Sequence, residues 1–155
     1  MAAFVAAIAV AYFGLRTSAT SFSEFLDGEL ALRQHYREMY TQGLQMGQAL
    51  RNIVLDPANP KAYENLEKAR KDFATARDAA ARAATTVEGF GDALSRLGPL
   101  AKTQAEAQTE VMAALKAGQV DEAKALINSK ETPAWRAMKK ALLDDLDTIR
   151  KATDS

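Results

Sequence analysis

The feature that most constrains the fold is an apolar stripe at helical spacing that continues from residue 22 to residue 53. Its members recur mostly at intervals of three or four residues, so they fall on one side of an α-helix. The stripe contains Phe22, Phe25, Leu32, Tyr36, Met39, Gly43, Met46, Leu50 and Ile53. No stretch shows the sustained alternation of β-branched residues that is typical of a half-buried strand. The pattern therefore predicts an all-α protein whose first helix buries this stripe.

A second stripe lies one residue further round the same helix and mixes leucines with arginines. It contains Leu26, Leu30, Arg33, Arg37, Tyr40, Leu44, Gly47, Arg51 and Val54. Arginine can lie along apolar surface with its charged head in water, which would make this stripe the boundary face of a single bundle. Arginine is also enriched in contacts between proteins, so the stripe is alternatively a contact with a second copy of the chain. Two copies meeting here would place two arginines near one small anion, which suits bidentate binding of a carboxylate.

Prolines and glycines divide the remaining sequence into segments of helical periodicity. The predicted helices cover residues 16–55, 60–88, 92–117 and 120–153. The loops between them are short, and short connections make successive helices antiparallel neighbours. We therefore expect an antiparallel up-down-up-down four-helix bundle formed by residues 16–155, in which the fourth helix ends on the side where the first begins.

Local signals predict how these helices begin, bend and end. Asn59, just before Pro60, is expected to cap predicted helix 2, because Asn is a preferred N-cap and Pro suits the first turn. Asp92 can cap predicted helix 3, and Gly118 is expected to end it. Pro99 predicts a kink near Gly98, and Pro133, in the segment SKETP, predicts a break or bend in helix 4.

The N-terminal segment MAAFVAAIAVAYFGL, residues 1–15, carries no charged side chain before Arg16. A membrane span needs about 20 apolar residues. A secretory signal would begin with basic residues, and this segment does not. We interpret residues 1–15 as the C-terminal part of a transmembrane helix, and a buried N-terminal helix of a soluble protein is the alternative. The chain is then expected to return to the bilayer after Ser155.

Composition argues against several classes of function. Twenty basic and twenty acidic side chains cancel, so no global field attracts nucleic acid. Cysteine is absent and His35 is the one histidine, which leaves no thiolate nucleophile and no paired imidazoles for a metal or haem. No catalytic motif occurs. The sequence thus predicts a binding or structural protein without cofactor, metal or catalytic residues.

The segment QALRNIVLDPANPKAYENLEKARKDFATARDA, residues 48–79, begins in the last turns of predicted helix 1 and continues into predicted helix 2. Together with the apolar N-terminus, it resembles the periplasmic four-helix-bundle sensor domain of bacterial methyl-accepting chemotaxis proteins. The sharpest local likeness is RNIVLD, residues 51–56, followed by KAYENLEKARK. The resemblance implies a chemotaxis transducer of the bacterial inner membrane, anchored by flanking transmembrane helices, with this domain in the periplasm. It also implies a homodimer through helix 1, a small carboxylate ligand (an organic acid or amino acid), and a signal that crosses the membrane through helix 4.

The same resemblance implies a ligand site, in which arginines of helix 1 and a threonine-containing segment near the start of the last helix bind the ligand. Arg51 matches one such arginine, whereas Gly47 and Gln42 stand where the aspartate receptor has others. That departure argues against aspartate as the ligand, and Tyr40 with Trp135 would suit a larger organic or aromatic acid. The predicted ligand-binding residues are Arg51, Gly47, Gln48, Arg37, Tyr40, Thr132 and Trp135. Two alternatives keep the bundle: the sensor of a histidine kinase or cyclase, and a structural or partner-binding bundle without a small ligand.

Overall fold

A computed structural model describes residues 12, 14–20, 22–23, 26–87 and 90–153. Within these ranges the secondary structure is helical and contains no strand, which confirms the predicted all-α class. From residue 26 onward the α-helices are α1 (Ala31–Leu55), α2 (Pro60–Ala83), α3 (Gly91–Lys116), α4 (Val120–Leu126) and α5 (Thr132–Thr153), and residues 14–20 are helical as well. A π-helical segment, Leu26–Leu30, precedes α1, and a 3₁₀ turn, Ala84–Thr86, follows α2.

The predicted stripe of α1 forms the centre of the core. Its buried members are Leu32, Tyr36, Met39, Gly43, Met46, Leu50 and Ile53. Phe22, by contrast, is 63% exposed, and Phe25 lies outside the described residues. α1 packs along α2 and also contacts α5. A continuous buried face on α1 therefore holds both of its neighbours.

The face of α2 that is buried consists mainly of alanine. Its buried residues are Ala62, Leu66, Ala69, Phe73, Ala76, Ala80 and Ala83. Successive members are three or four residues apart and follow a seven-residue repeat, the spacing that favours slightly inclined helix packing. Side chains without a Cγ allow two helix axes to lie close together. The contact between α1 and α2 is accordingly the most extensive in the described part of the chain.

α5 closes the core from the other side. Met138, Leu142 and Ile149 are fully buried, and they follow the face that helical spacing predicts. α3 contacts α4 and α5 and contributes Leu97 and Val111 to the same core. α3 meets α2 at only a few places, so these two helices leave a cleft between them.

Two of the predicted helix ends are confirmed in atomic detail. The Asn59 side chain accepts a hydrogen bond of 3.0 Å from the backbone N–H of Lys61 and caps α2. Gly118 has a φ of 74°, a left-handed conformation that glycine adopts without steric cost. Its N–H donates to the Leu115 carbonyl at 3.0 Å, and the next N–H donates to Ala114 at 2.9 Å. This is a Schellman motif, and it satisfies the last carbonyls of α3.

Other boundaries differ from the prediction. Asp92 does not cap α3, because the helix begins at Gly91 and its cap position, Phe90, makes no side-chain hydrogen bond. Asp92 lies inside the first turn, where its negative charge interacts favourably with the helix dipole. α2 ends at Ala83, five residues before the predicted boundary, and the chain tightens into the 3₁₀ turn. α3 continues through Pro99 without a break, and the predicted kink near Gly98 stays a prediction.

The predicted break in the fourth helix takes the form of a wide turn. Residues Ile127–Glu131 are π-helical, and the Thr132 N–H donates to the Ile127 carbonyl, five residues back. Pro133 follows in the first turn of α5. Proline cannot donate to the regular ladder, and the wide turn has already interrupted that ladder just before it. The backbone therefore stays helical from Val120 to Thr153.

The predicted transmembrane segment falls mainly outside the part of the chain that the structure describes. Of residues 1–15, the structure describes 12, 14 and 15. Among all the described residues, no helix combines the length and the apolar character that crossing a membrane requires.

Candidate functional site

Arg51 connects α1 to the start of α5. Its Nη2 donates to the Thr132 hydroxyl oxygen at 3.1 Å, and its Nη1 donates to the Gly47 carbonyl at 2.9 Å. The side chain is 47% exposed, so part of the guanidinium still faces solvent. Gly47 lies one turn before Arg51 on α1, so the bond to its carbonyl holds the guanidinium against its own helix. The bond to Thr132 connects the same guanidinium to α5.

Glu131 is the buried carboxylate beside this arginine. Its side chain is 1% exposed, and its Oε2 lies 4.0 Å from Arg51 Nη2. Oε1 accepts from Gln104 Nε2 of α3 at 3.4 Å, whereas Oε2 has no hydrogen-bond partner among the described residues. A buried carboxylate is costly unless a cation and hydrogen bonds stabilise it. Arg51 therefore already has one anionic neighbour within the chain.

Sequence reasoning missed Glu131 because a charged residue between Lys130 and Thr132 is expected on the surface. Its burial depends on the wide turn, which changes the direction of successive side chains relative to a regular α-helix. The segment SKETP was expected to interrupt the helix. Residue spacing, however, does not reveal how such an interruption changes the direction of the Glu131 side chain. The available signal is the proline itself, since a π-helical turn is one way to accommodate it.

The glycines of α1 that face α5 and the wide turn leave room for two different side chains. A Cβ at Gly47 would lie 2.9 Å from Arg51 Nη1 and 3.8 Å from Glu131 Oε1. A Cβ at Gly43 would lie 2.0 Å from Cζ3 of Trp135, so the indole occupies the position that a side chain would need. The absence of side chains here allows a guanidinium and an indole to lie against the α1 backbone.

Tyr40 and Trp135 form an aromatic pair next to Gly43. Their ring centroids are 6.0 Å apart with planes inclined by 42°. Lys139 Nζ lies 6.0 Å from the centroid of the Tyr40 ring. Such aromatic and cation–π arrangements stabilise packing at a partly exposed helix contact. The pair fixes α5 against α1 at a different level from Arg51.

A cleft of about 260 Å³ opens beside Arg51. Its lining consists of Arg51, Val54, Leu55, Lys124, Ile127 and Asn128. Two of these side chains are cationic, three are aliphatic, one is an amide and none is acidic. The Lys124 ammonium also pairs with exposed Asp121 at 3.0 Å, and a pair of this exposed kind is weak. The cleft thus combines positive charge with an apolar wall.

The structure brings together some of the predicted ligand-binding residues and separates others. Arg51, Gly47 and Thr132 are in contact, and the Tyr40–Trp135 pair lies further along α1 without lining the cleft. Gln48 is exposed on α1 and does not line the cleft either. Arg37 precedes Arg51 by 14 residues, or about 21 Å along a helix. It lines a separate cavity with Arg33, Leu146, Asp147 and Arg150.

A second buried polar group connects α1, α3 and α5. Arg96 Nη2 donates to Asp145 Oδ1 at 3.0 Å, and Asp145 is 5% exposed. The fully buried Tyr36 hydroxyl and Asp145 Oδ2 have no well-formed hydrogen bond among the described residues. Burial raises the pKa of Tyr36 far above its ordinary value, and the negative charge of Asp145 raises it further. This group holds three helices together away from the Arg51 cleft.

Comparison with known proteins leaves the functional inference to the geometry of the chain. No protein-family model, curated protein or solved structure matches it significantly.

Proposed function

We propose that the chain is the extracytoplasmic sensor domain of a chemotaxis transducer, and that it binds a small carboxylate in the cleft beside Arg51. The observation that carries the proposal is the position of Arg51. Its guanidinium contacts the start of α5 and also lines a cleft with a second cation, Lys124, and no acidic side chain. The resemblance of residues 48–79 to chemotaxis sensor domains supports the same interpretation.

The chemistry of the cleft favours a small organic acid. The exposed part of the Arg51 guanidinium can donate two parallel hydrogen bonds to a carboxylate, and Lys124 adds a point charge. Val54, Leu55 and Ile127 offer an apolar wall for an aliphatic chain. The cleft volume of about 260 Å³ lies below the range of roughly 300–1,000 Å³ that is typical of sites for drug-sized ligands, so the cleft suits a smaller molecule.

Signal transmission in this proposal depends on the wide turn, Ile127–Glu131. Ile127 and Asn128 line the cleft, and Glu131 shares Arg51 with any bound acid. An incoming carboxylate competes with Glu131 and Thr132 for the guanidinium, so it changes the relative stability of two arrangements of this turn. A ligand shifts such an equilibrium only through its different affinity for the two states. The displacement would then pass along α5.

The assembly that we propose is an antiparallel four-helix bundle in which α4, the wide turn and α5 together form the fourth helix. Short connections at 56–59 and 117–119 support this topology. A second copy would dock on α1 and the π-helical segment before it, where Leu30, Arg37, Leu44 and Arg51 recur every seven residues and the two leucines are exposed. Exposed apolar residues at heptad spacing favour a helix–helix contact. Residues 1–15 would anchor the domain in the bacterial inner membrane and place it in the periplasm.

Isothermal titration with succinate and a panel of L-amino acids tests the proposed site. A ligand should be found, and Arg51→Ala should weaken its binding about 10- to 100-fold, because hydrogen bonds to charged groups contribute about 1.5–3 kcal/mol. Arg37→Ala is the matched control, since Arg37 is an exposed arginine of the same helix outside the cleft. Equal affinity of the wild type and Arg51→Ala would remove Arg51 from the site.

A purely structural role for the same residues is the second candidate, and Glu131 is the observation that favours it. If Glu131 is the only carboxylate that Arg51 binds, Arg51→Ala leaves a buried carboxylate without its cation and lowers the free energy of unfolding by about 1–3 kcal/mol, less than for a fully buried pair because Arg51 is 47% exposed. No acid in the panel would then raise the melting temperature of the wild type. If an acid raises the melting temperature of the wild type and Arg51→Ala abolishes this rise, the result supports the sensor function over the purely structural role.

A further inference from the structure

The cleft between α2 and α3 has the composition of a second ligand site. Its volume is about 340 Å³, within the range of small-molecule sites. Met46 of α1 and Phe73 of α2 are buried and provide apolar surface inside it. None of its lining residues belongs to α4, to α5 or to the Arg51 cleft. It is therefore a separate cavity, and the proposed sensor function does not use it.

The side chain of Gln108 lines this cleft, and its amide has a buried donor without a partner among the described residues. Gln108 is 1% exposed, and its Oε1 accepts from Arg70 Nε at 3.0 Å. Arg70 can only donate, so this bond fixes which end of the Gln108 amide carries the NH₂ group. Gln108 Nε2 is then left buried with no hydrogen-bond partner among the described residues. Buried donors are nearly always satisfied in folded proteins, so this N–H group is available to an acceptor that enters the cleft.

Positive charge lines the rest of the cleft. Arg70, Arg77 and Lys102 are among its lining residues, and none of the lining residues is acidic. Each cation has an acidic neighbour on its own helix outside the cleft, respectively Glu67, Asp78 and Glu106. These acids are well exposed, and exposed pairs are weak and screened by salt. An anion inside the cleft can therefore compete for the three cations.

We propose that the α2–α3 cleft binds an organic monocarboxylate with a compact apolar body. The apolar body lies against Met46 and Phe73. The carboxylate accepts a hydrogen bond from Gln108 Nε2 and interacts with Arg70, Arg77 and Lys102. Aromatic acids fit best, because a flat ring fills a narrow space between two helices and packs against the Phe73 ring.

Sodium benzoate is the probe, and benzyl alcohol is its uncharged counterpart. In titrations of the full chain, benzoate should bind at least tenfold more tightly than benzyl alcohol. In NMR spectra, benzoate should shift the side-chain amide signals of Gln108. Benzoate binding that leaves the Gln108 signals unchanged, or binding of the alcohol with equal affinity, would overturn the proposal, as would the absence of benzoate binding.

Substitutions place the probe and separate this site from the Arg51 cleft. Ala105→Trp fills the cleft from an exposed position and should weaken benzoate binding at least tenfold. Ala113→Trp, at an exposed position of α3 outside the cleft, should leave it unchanged. Lys102→Glu should also weaken binding, which keeps a test available should Ala105→Trp misfold. Arg51→Ala should retain benzoate affinity, and a loss there would reassign the probe to the other cleft and refute this site.

Discussion

Gly43 faces α5 and Gly47, one turn later, faces the wide turn, and the two positions should tolerate a methyl group very differently. A Cβ at Gly43 would meet the Trp135 indole at 2.0 Å, and a buried ring cannot move aside without disturbing α5. We predict that Gly43→Ala lowers the free energy of unfolding by about 1–3 kcal/mol. Gly47→Ala meets only the end of the flexible Arg51 side chain, so it should be neutral or stabilise by up to about 1 kcal/mol.

Urea denaturation of the two alanine variants measures this difference. Gly47→Ala should also displace the Arg51 guanidinium from the Gly47 carbonyl and so weaken succinate binding, whereas its stability is kept. A Gly43→Ala variant as stable as the wild type would mean that the indole is not packed against the α1 backbone.

Tyr36 gives a pH dependence with a definite sign. Its pKa is raised in the folded state, chiefly by burial and then by Asp145, above a value of about 10 in the unfolded chain. The folded state therefore holds its proton more tightly. The contribution of this group to stability is complete below about pH 10 and declines as the pH rises through and above that value.

We predict that Tyr36→Phe reduces this alkaline loss of stability. At neutral pH the substitution should cost little, because the hydroxyl has no well-formed hydrogen bond among the described residues. Denaturation midpoints measured between pH 7 and high pH test the prediction, with Tyr63→Phe as control. The Tyr63 hydroxyl donates to the Pro57 carbonyl at 3.0 Å near the helix connection, away from Asp145. Identical alkaline profiles for the wild type and Tyr36→Phe would contradict the assignment.

The wide turn of Ile127–Glu131 should be removable without loss of the helix. A π-helical turn bonds each N–H five residues back instead of four, so it accommodates roughly one extra residue. Deletion of Ser129, which is exposed, should restore a regular α-helical turn and leave the neighbouring helix faces in place. We expect cooperative unfolding and helical circular dichroism to persist, while succinate binding falls at least tenfold because Ile127, Asn128 and Arg51 lose their alignment.

The control for this deletion is Ser129→Ala, which keeps the chain length and removes only the hydrogen bond from the Ser129 hydroxyl to the Ala125 carbonyl. That variant should bind like the wild type. Retention of wild-type affinity by the deletion variant would show that the wide turn does not shape the cleft.

The wide turn also marks the limit of what the sequence could predict. The sequence was sufficient to predict features that local chemistry determines. These are the buried stripe of α1 from Leu32 to Ile53, the N-cap at Asn59 and the helix end at Gly118. Asp92 was misassigned, because a residue that suits a cap also suits the first turn. The burial of Glu131 and the positions of Lys124 and Asn128 depend on where one turn widens, a tertiary effect that spacing does not report.

Dimerisation through α1 has a direct test in solution. Leu44 is 44% exposed and lies midway between Arg37 and Arg51 on the heptad face. We predict that Leu44→Glu shifts the monomer–dimer equilibrium toward the monomer at least tenfold, because a carboxylate at the centre of an interface is desolvated without a designed partner. Sedimentation equilibrium measures the shift.

Leu143→Glu is the matched control, since Leu143 of α5 is exposed to a similar degree, 42%. It should dissociate the dimer less than Leu44→Glu does. If both variants sediment like the wild type, α1 is not the contact between copies.

The alanine face of α2 restricts which sequences this molecule can accept over evolution. Five of the seven buried residues of α2 are alanines, and the helix packs closely along α1. Almost any residue that replaces one of these alanines is larger and would push α1 and α2 apart. We therefore expect only glycine and serine to replace them. The outward side of the same helix has no such limit. Among homologues, the charged residues on the exposed face of α2 should therefore vary freely, while the residues on its buried face stay small.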